Sequence, residues 1–174
     1  SESELWVGID FGFSNPFVAL WVRRYSDGTV HVLDEYVQSG QTMDRHIVEL
    51  RQRGRGAITA IGCDPAGSAT NDQTAQSNVE LLRKAGFSVR TRGSKIQEGL
   101  EHIRRGLKTA DGRTSLFVHS RCALLIKAME AYRYPDGPGE VPVKDNENDH
   151  LVDALRYFFV NSGVKMGLEG GRRY

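Results

Sequence analysis

A chain of 174 residues, 39% hydrophobic and 26% charged, suits one compact domain with its own core and is marginal for two. Lys and Arg number 23 against 22 Asp and Glu, a formal net charge of +1, so the domain-wide basic field of many nucleic-acid binders is absent. No apolar run is long enough to cross a bilayer, and the acidic, polar opening Ser1-Glu2-Ser3-Glu4 does not read as a secretory signal.

Leu5 to Ile9 is a short apolar run ending at Asp10, followed by a turn from Gly12 to Pro16 and a second strand over Phe17 to Val22. Asp27-Gly28 is a hairpin signal, and Thr29 to Val37 alternates as a third strand, so the chain is expected to open with three antiparallel strands. Thr42 to Gln52 has helical spacing, with Thr42 or Ser39 as its cap. Ala57 to Gly62 reads as a buried strand running into Cys63-Asp64-Pro65. A helix is expected over Asn71 to Ala85, with Asn71 as N-cap and Gly86 as the stop. A short strand at Phe87 to Arg90, a helix over Ser94 to Lys108, a strand at Ser115 to His119 and a helix over Arg121 to Tyr132 follow. A Pro/Gly-rich loop, Pro135 to Pro142, leads to a last helix from about Asn146 to Asn161, and Gly163 to Tyr174 reads as a frayed tail. Strands in meander and then alternating with helices make an α/β chain with a mixed sheet.

Cys63 and Cys122 lack any metal-binding spacing and read as small core residues of a reducing compartment. Basic residues gather at Arg51-Arg53-Arg55, Arg83-Lys84, Arg90-Arg92-Lys95 and Arg104-Arg105-Lys108, which alone describes ordinary solvated helix faces. Trp6, Trp21, Phe17 and Phe117 fit core strands, and His31, His46 and His102 read as surface residues. His119 ends a strand and reads as structural.

The carboxylates carry the chemistry. Asp10 and Asp64 each follow an apolar strand; if those strands are parallel neighbours, both emerge at the sheet edge where open α/β sheets bind ligands. The bland alternative is that each is a turn former. In Leu151 to Val160 only Asp153 and Arg156 are charged, and apolar groups cover most of the helix, so a lone carboxylate there needs neutralising. Asp149, four residues earlier, lies about 40° away on the same face. Two like charges at that spacing repel, which suits a cation beside them. The competing arrangement is an Asp153–Arg156 ion pair with Asp149 solvated at the helix N-terminus. Oxygen ligands without cysteine favour Mg²⁺ or Mn²⁺, and several carboxylates suit two ions roughly 3.5–4 Å apart. One would activate a water and the other neutralise the departing 3′ oxygen of a phosphodiester.

Three stretches, Gly8-Ile9-Asp10-Phe11-Gly12, Gly62-Cys63-Asp64-Pro65-Ala66-Gly67 and Asn148-Asp149-His150-Leu151-Val152-Asp153-Ala154-Leu155-Arg156-Tyr157, occur in that order. Together they resemble the nuclease domain of the large terminase subunit of tailed bacteriophages. Ser94 to Gly99, followed by Ile103-Arg104, resembles the family's segment between its second and third motifs. The resemblance covers nearly the whole chain, and its closing N-D-H-x-x-D-A-L-R-Y stretch is the most specific part.

It implies a ribonuclease-H-like fold with helices on both faces of the sheet, and metal-dependent cutting of double-stranded DNA with little sequence preference during genome packaging. Asp10 and Asp64 would be the first two metal ligands. The third acidic position would fall within Asp149, His150 and Asp153, with Asp153 favoured, Asp149 next and His150 as an optional ligand or a support to one. Residues 1–174 would form a single nuclease domain. No G-x-x-x-x-G-K-[ST] loop occurs, so the packaging ATPase domain would be a separate part of a longer chain. The small terminase subunit and the portal protein would be partners, no membrane would be involved, and the setting would be the host cytoplasm. Lys95 is a candidate phosphate contact; Arg90, Arg92, Arg104 and Arg105 are candidates to track the DNA backbone. Competing readings are an actin- or sugar-kinase-like ATP-binding domain, with Asp10-Phe11-Gly12-Phe13-Ser14 as its phosphate hairpin, a non-catalytic DNA-binding packaging module, and a cellular resolvase.

Overall fold

The structure, a computed structural model, describes residues 2–12, 16–68, 77–108, 111–132 and 149–163. Six strands form one mixed sheet: β1 (Ser3–Asp10), β2 (Phe17–Tyr25), β3 (Val30–Gln38), β4 (Ile58–Cys63), β5 (Val89–Thr91) and β6 (Leu116–Val118), in the order β5-β4-β1-β2-β3-β6. β1, β2 and β3 are the expected antiparallel meander. β4 lies parallel to β1, β5 parallel to β4, and β6 parallel to β3, so five strands point one way and β2 the other.

The helices are α1 (Met43–Gln52), α2 (Asn78–Lys84), α3 (Ile96–Leu107), α4 (Ala123–Ala131) and α5 (Asp149–Ser162), with a short 3-10 turn at Pro65–Ser68. Strand alternation sorts the core into two halves. Trp6, Val18, Leu20, Val22, Val30 and Ala60 pack beneath α3, α4 and α5, whereas Leu5, Val7, Ile9, Trp21, Ile61 and Cys63 pack beneath α1 and α2. Both faces of the sheet are therefore covered. Among the described residues, no helix is long and apolar enough to cross a membrane.

Local chemistry explains most element ends. Thr42 caps α1 by accepting from the Arg45 N–H. Gly86 at φ 98° stops α2. The start of α2 differs from expectation. Ser77 is its N-cap, in a reciprocal capping box with Glu80, so the helix begins at Asn78 instead of following from Asn71. The turn chemistry of Ser77-x-x-Glu80 prevails over the longer helical pattern. Asn71 itself lies outside the described residues, as do Phe13 and Ser14, the Pro135 to Pro142 loop, residues 146–148 and the tail from 164 onward. α4 has no cap of its own, since the Cys122 side chain makes no capping hydrogen bond. Glu35 of β3 takes that role, accepting from the Leu124 and Leu125 N–H groups at 2.8 Å each.

Several residue placements correct the sequence reading. His46 is buried, 4% exposed, because it stacks on Phe17 at 3.8 Å and hydrogen-bonds with the Tyr36 hydroxyl. His102 is half-buried against Phe159. Phe117, 45% exposed, is no core residue, because β6 is an edge strand and Phe117 points away from the α4 face. The Arg51-Arg53-Arg55 cluster is not a solvated face. Arg53 and Arg55 both pair with buried Asp34, at 3.2 and 3.1 Å, and Arg53 also lies over the Trp21 and Tyr36 rings.

α5 is enclosed on several sides, as its apolar circumference requires. It lies across β1, β2 and β4 and against α3 and α4. Its close approach depends on two glycines paired in register on neighbouring strands, Gly8 of β1 and Gly62 of β4. A Cβ at Gly8 would collide with the Ala154 carbonyl, and one at Gly62 would sit 2.8 Å from the Tyr157 carbonyl oxygen. The helix backbone thus rests directly on the sheet, with residues 150 and 153 delivered to the strand ends.

Candidate functional site

Asp10 closes β1 and Asp64 follows β4. The parallel register pairs Ile9 with Cys63, so the two carboxylates leave adjacent strands in step, at one edge of the sheet. Each also makes a turn: Asp10 accepts from the Gly12 N–H at 3.3 Å and Asp64 from the Ala66 N–H at 2.7 Å. The turn-forming and site-forming readings are both realised, because each of these contacts occupies one carboxylate oxygen only.

α5 supplies the rest. His150 Nδ1 lies 3.1 Å from Asp10 Oδ2. With Asp10 ionised, the Nδ1–H donates and the lone pair of the neutral ring resides on Nε2. Asp10, His150 and Asp153 each offer one atom to a group whose members lie within 4.8 Å of one another, all three half-buried. Among the described residues this is the group able to hold a metal ion.

Asp64 stands at the same edge, outside that group. Asp149 is 7% exposed, so it is not the solvated N-terminal residue of the alternative reading, and it too lies outside the group. Helix geometry accounts for this: relative to Asp153, residue 149 is turned about 40° one way and residue 150 about 60° the other. The side facing β1 carries His150. The Asp153–Arg156 ion pair of the competing arrangement is present, at 2.7 Å, so Asp153 meets both the arginine and the Asp10–His150 pair.

The electrostatics follow from burial. Desolvation pushes the Asp10 carboxyl above its ordinary range, opposed by the His150 hydrogen bond and reinforced by the charge of Asp153. The Tyr157 phenol is pushed far up by burial and then by Asp153, Asp10 and Asp64 together, so one phenol senses the negative field of all three carboxylates. Sequence reasoning passed over Tyr157. Its position four residues after Asp153, on the same helical face, was the available signal.

The donor set is two carboxylates and an imidazole, with a third carboxylate one strand away. Hard oxygen donors with one nitrogen suit small divalent cations such as Mg²⁺ or Mn²⁺, and a cation would relieve the burial of charge at Asp10.

The candidate DNA contacts are spread over β5 and α3. Lys95, Arg90, Arg92, Arg104 and Arg105 are all exposed. Lys95 occupies the N-cap position of α3 without capping it. Arg92 pairs with Glu98, Arg104 and Arg105 reach Glu101, and Arg90 lies over Trp6. His119 is not part of the site. It follows β6, three strands from β1, where Arg121 donates to its Nδ1.

A family model described as "Terminase RNaseH-like domain" matches residues 7–162. No curated protein matches the chain by sequence. Among solved structures, the large terminase of a thermophilic bacteriophage, in complex with ATP-gamma-S, superposes with a TM-score of 0.74 at 20% identity, over 91% of this chain and 40% of that one. This chain therefore spans well under half the length of that terminase. The P22 large terminase nuclease domain superposes with a TM-score of 0.68 at 17% identity, covering 90% of this chain and 80% of that one. The large terminase nuclease domain of bacteriophage SPP1, with bound Mn, gives 0.65 at 16% identity, covering 90% and 85%.

Proposed function

Because this chain belongs to the terminase RNaseH-like domain family, we propose that it is the nuclease part of a phage large terminase. It would cut double-stranded DNA, with little sequence preference, during packaging in the host cytoplasm. The observation that carries this reading is the meeting of Asp10, His150 and Asp153 at one sheet edge, with Asp64 leaving the adjacent strand in step. The SPP1 domain with bound Mn, of the same fold, supports the use of a divalent metal.

Asp10, Asp153 and Asp64 would be the oxygen ligands, with His150 ligating through Nε2 or fixing Asp10 through Nδ1. Asp149, buried at the start of α5, would supply negative charge beside them. When bound, two Mg²⁺ or Mn²⁺ ions at such a site supply the Lewis acidity for phosphodiester hydrolysis. The protein's own part is to hold the carboxylates converged on a rigid helix and two strand ends. No side-chain general base is then required.

The exposed Lys95, Arg90, Arg92, Arg104 and Arg105 would meet backbone phosphates. Since the net charge is only +1, tight DNA binding would fall to the partners: an ATPase domain of the longer chain, the small terminase subunit and the portal protein. The family membership favours this reading over an ATP-binding role for Asp10-Phe11-Gly12.

The test is cleavage of plasmid DNA. Nicking or linearisation with Mn²⁺ or Mg²⁺, abolished by EDTA and by Asp64→Ala in a folded chain, is expected. Intact plasmid under all metals would leave a non-catalytic packaging module, and preference for four-way junctions over plain duplex would indicate a resolvase.

A further inference from the structure

Arg156 belongs to the last motif, yet the proposed chemistry does not use it, and it is 4% exposed. Burying a guanidinium is costly unless it is paired and bonded. Here Nε and Nη2 both donate to Asp153, at 3.1 and 2.7 Å, and both end on the same oxygen, Oδ1. The usual arginine–carboxylate fork engages both oxygens; this one closes on a single oxygen.

The arginine is held from two further sides. Its guanidinium lies 5.2 Å from the centre of the Tyr157 ring. Its stem runs along α3 at Gly99, where an added Cβ would come within 2.8, 2.9 and 3.0 Å of Arg156 Cβ, Cγ and Cδ. Any side chain at position 99 would displace the stem. This gives a physical reason for the glycine that ends the Ser94 to Gly99 segment.

We propose that Arg156 is a positioning residue: by fixing Asp153 through Oδ1 it turns Oδ2 toward the cation shared with Asp10 and His150, and Gly99 is the gap that lets it do so. The inference rests on the metal-dependent reading of the same site. It carries an internal contest of signs. A positive charge beside a ligand opposes a cation by Coulomb repulsion, whereas an orienting hydrogen bond favours it. If orientation prevails, loss of Arg156 weakens metal binding; if charge prevails, it strengthens it.

The experiment is direct Mn²⁺ titration of the 174-residue chain, reading unbound Mn²⁺ by electron paramagnetic resonance, beside a thermal melt of each variant. Arg156→Gln is expected to weaken Mn²⁺ binding by roughly tenfold to a hundredfold, the range for lost supports of metal ligands. Gly99→Ala is expected to weaken it in the same direction. Arg156→Lys keeps the charge without the two-donor fork, should fall between, and serves as the reading if the glutamine variant does not fold. Unchanged affinity with a lowered melting point would make Arg156 merely structural and overturn the proposal, as would tighter binding. If the unsubstituted chain binds no Mn²⁺, the nuclease reading itself falls; if it binds and the variants bind equally well, only the role of Arg156 falls.

Discussion

His150 Nδ1 meets Asp10 Oδ2 at 3.1 Å across 140 residues of chain. That contact ties the last helix to the first strand at the site. It also partly offsets a cost, since burial and the charge of Asp153 both push the Asp10 carboxyl up. The native state therefore binds this proton more tightly than the unfolded chain does. Between the ordinary value of 3.8 and the higher native value, stability declines as pH rises. At neutral pH without metal, ionised Asp10 is a net burden.

Asp10→Asn should accordingly separate function from stability. Asparagine keeps the shape and an acceptor for His150 but removes the charge. Metal-free melting at neutral pH is expected to be equal or higher, and cleavage to fall by at least about a hundredfold, as loss of a direct ligand exceeds loss of its supports. Mn²⁺ should raise the melting point of the unsubstituted chain by mass action and leave that of the variant nearly unmoved. A variant that melts lower without metal, or still gains from Mn²⁺, contradicts the role given to Asp10.

The two glycines beneath α5 make a different kind of claim. Gly8→Ala would drive a methyl group into the Ala154 carbonyl, and Gly62→Ala would set one 2.8 Å from that of Tyr157. Backbone cannot swing aside as a flexible side chain does. Overpacking of this kind costs about 1–3 kcal/mol, and either variant should lie at or above the upper end. Urea unfolding at constant temperature measures it. Cleavage should be lost even where the protein remains folded, because lifting α5 carries His150 and Asp153 away from Asp10.

Much of this arrangement was legible in the sequence, and the residues show why. Asp10 and Asp64 follow apolar runs whose β character fixes their place at strand ends, and the enclosing apolar pattern of α5 marks Asp153 as unusual. The choice between Asp149 and His150 was not legible. Both lie within about 60° of Asp153, and only the seating of α5 on Gly8 and Gly62 decides which faces β1. Burial of His46 was equally hidden, since its partners Phe17 and Tyr36 belong to other elements. The α2 start turned on local chemistry that was visible, the Ser77/Glu80 capping box, but a longer helical pattern overshadowed it.

Glu35 offers a test away from the site. Its carboxylate accepts from both Leu124 N–H and Leu125 N–H at the start of α4, a helix lacking a cap of its own. Glu35→Ala leaves two donors unanswered and removes a negative charge from the helix N-terminus. The expected loss is about 1–2 kcal/mol, as for other N-cap deletions. Chemical denaturation should register it while metal-dependent cutting of the folded protein stays unchanged. A drop in cutting by the folded variant would link α4 to the site in a way the geometry does not.

His46 should contribute to the pH dependence of stability near neutrality. It is 4% exposed, stacked on Phe17, with the Tyr36 hydroxyl hydrogen-bonded to Nδ1 at 3.0 Å. Burial lowers its pKa below the ordinary 6.5, so the folded state keeps the ring neutral while the unfolded chain protonates it more readily. Between the depressed native value and 6.5 the unfolded state therefore binds more protons, and stability rises with pH. The contribution is complete above 6.5 and is lost as pH falls through the native value. His102, also shifted down by burial, adds an effect of the same sign. His46→Gln keeps a partner for Tyr36 but cannot titrate in this window. Urea midpoints between about pH 5 and 8 should thus climb less steeply for the variant. Identical slopes in the two proteins would mean that His46 takes up its proton as readily folded as unfolded, which its packing between Phe17 and Tyr36 argues against.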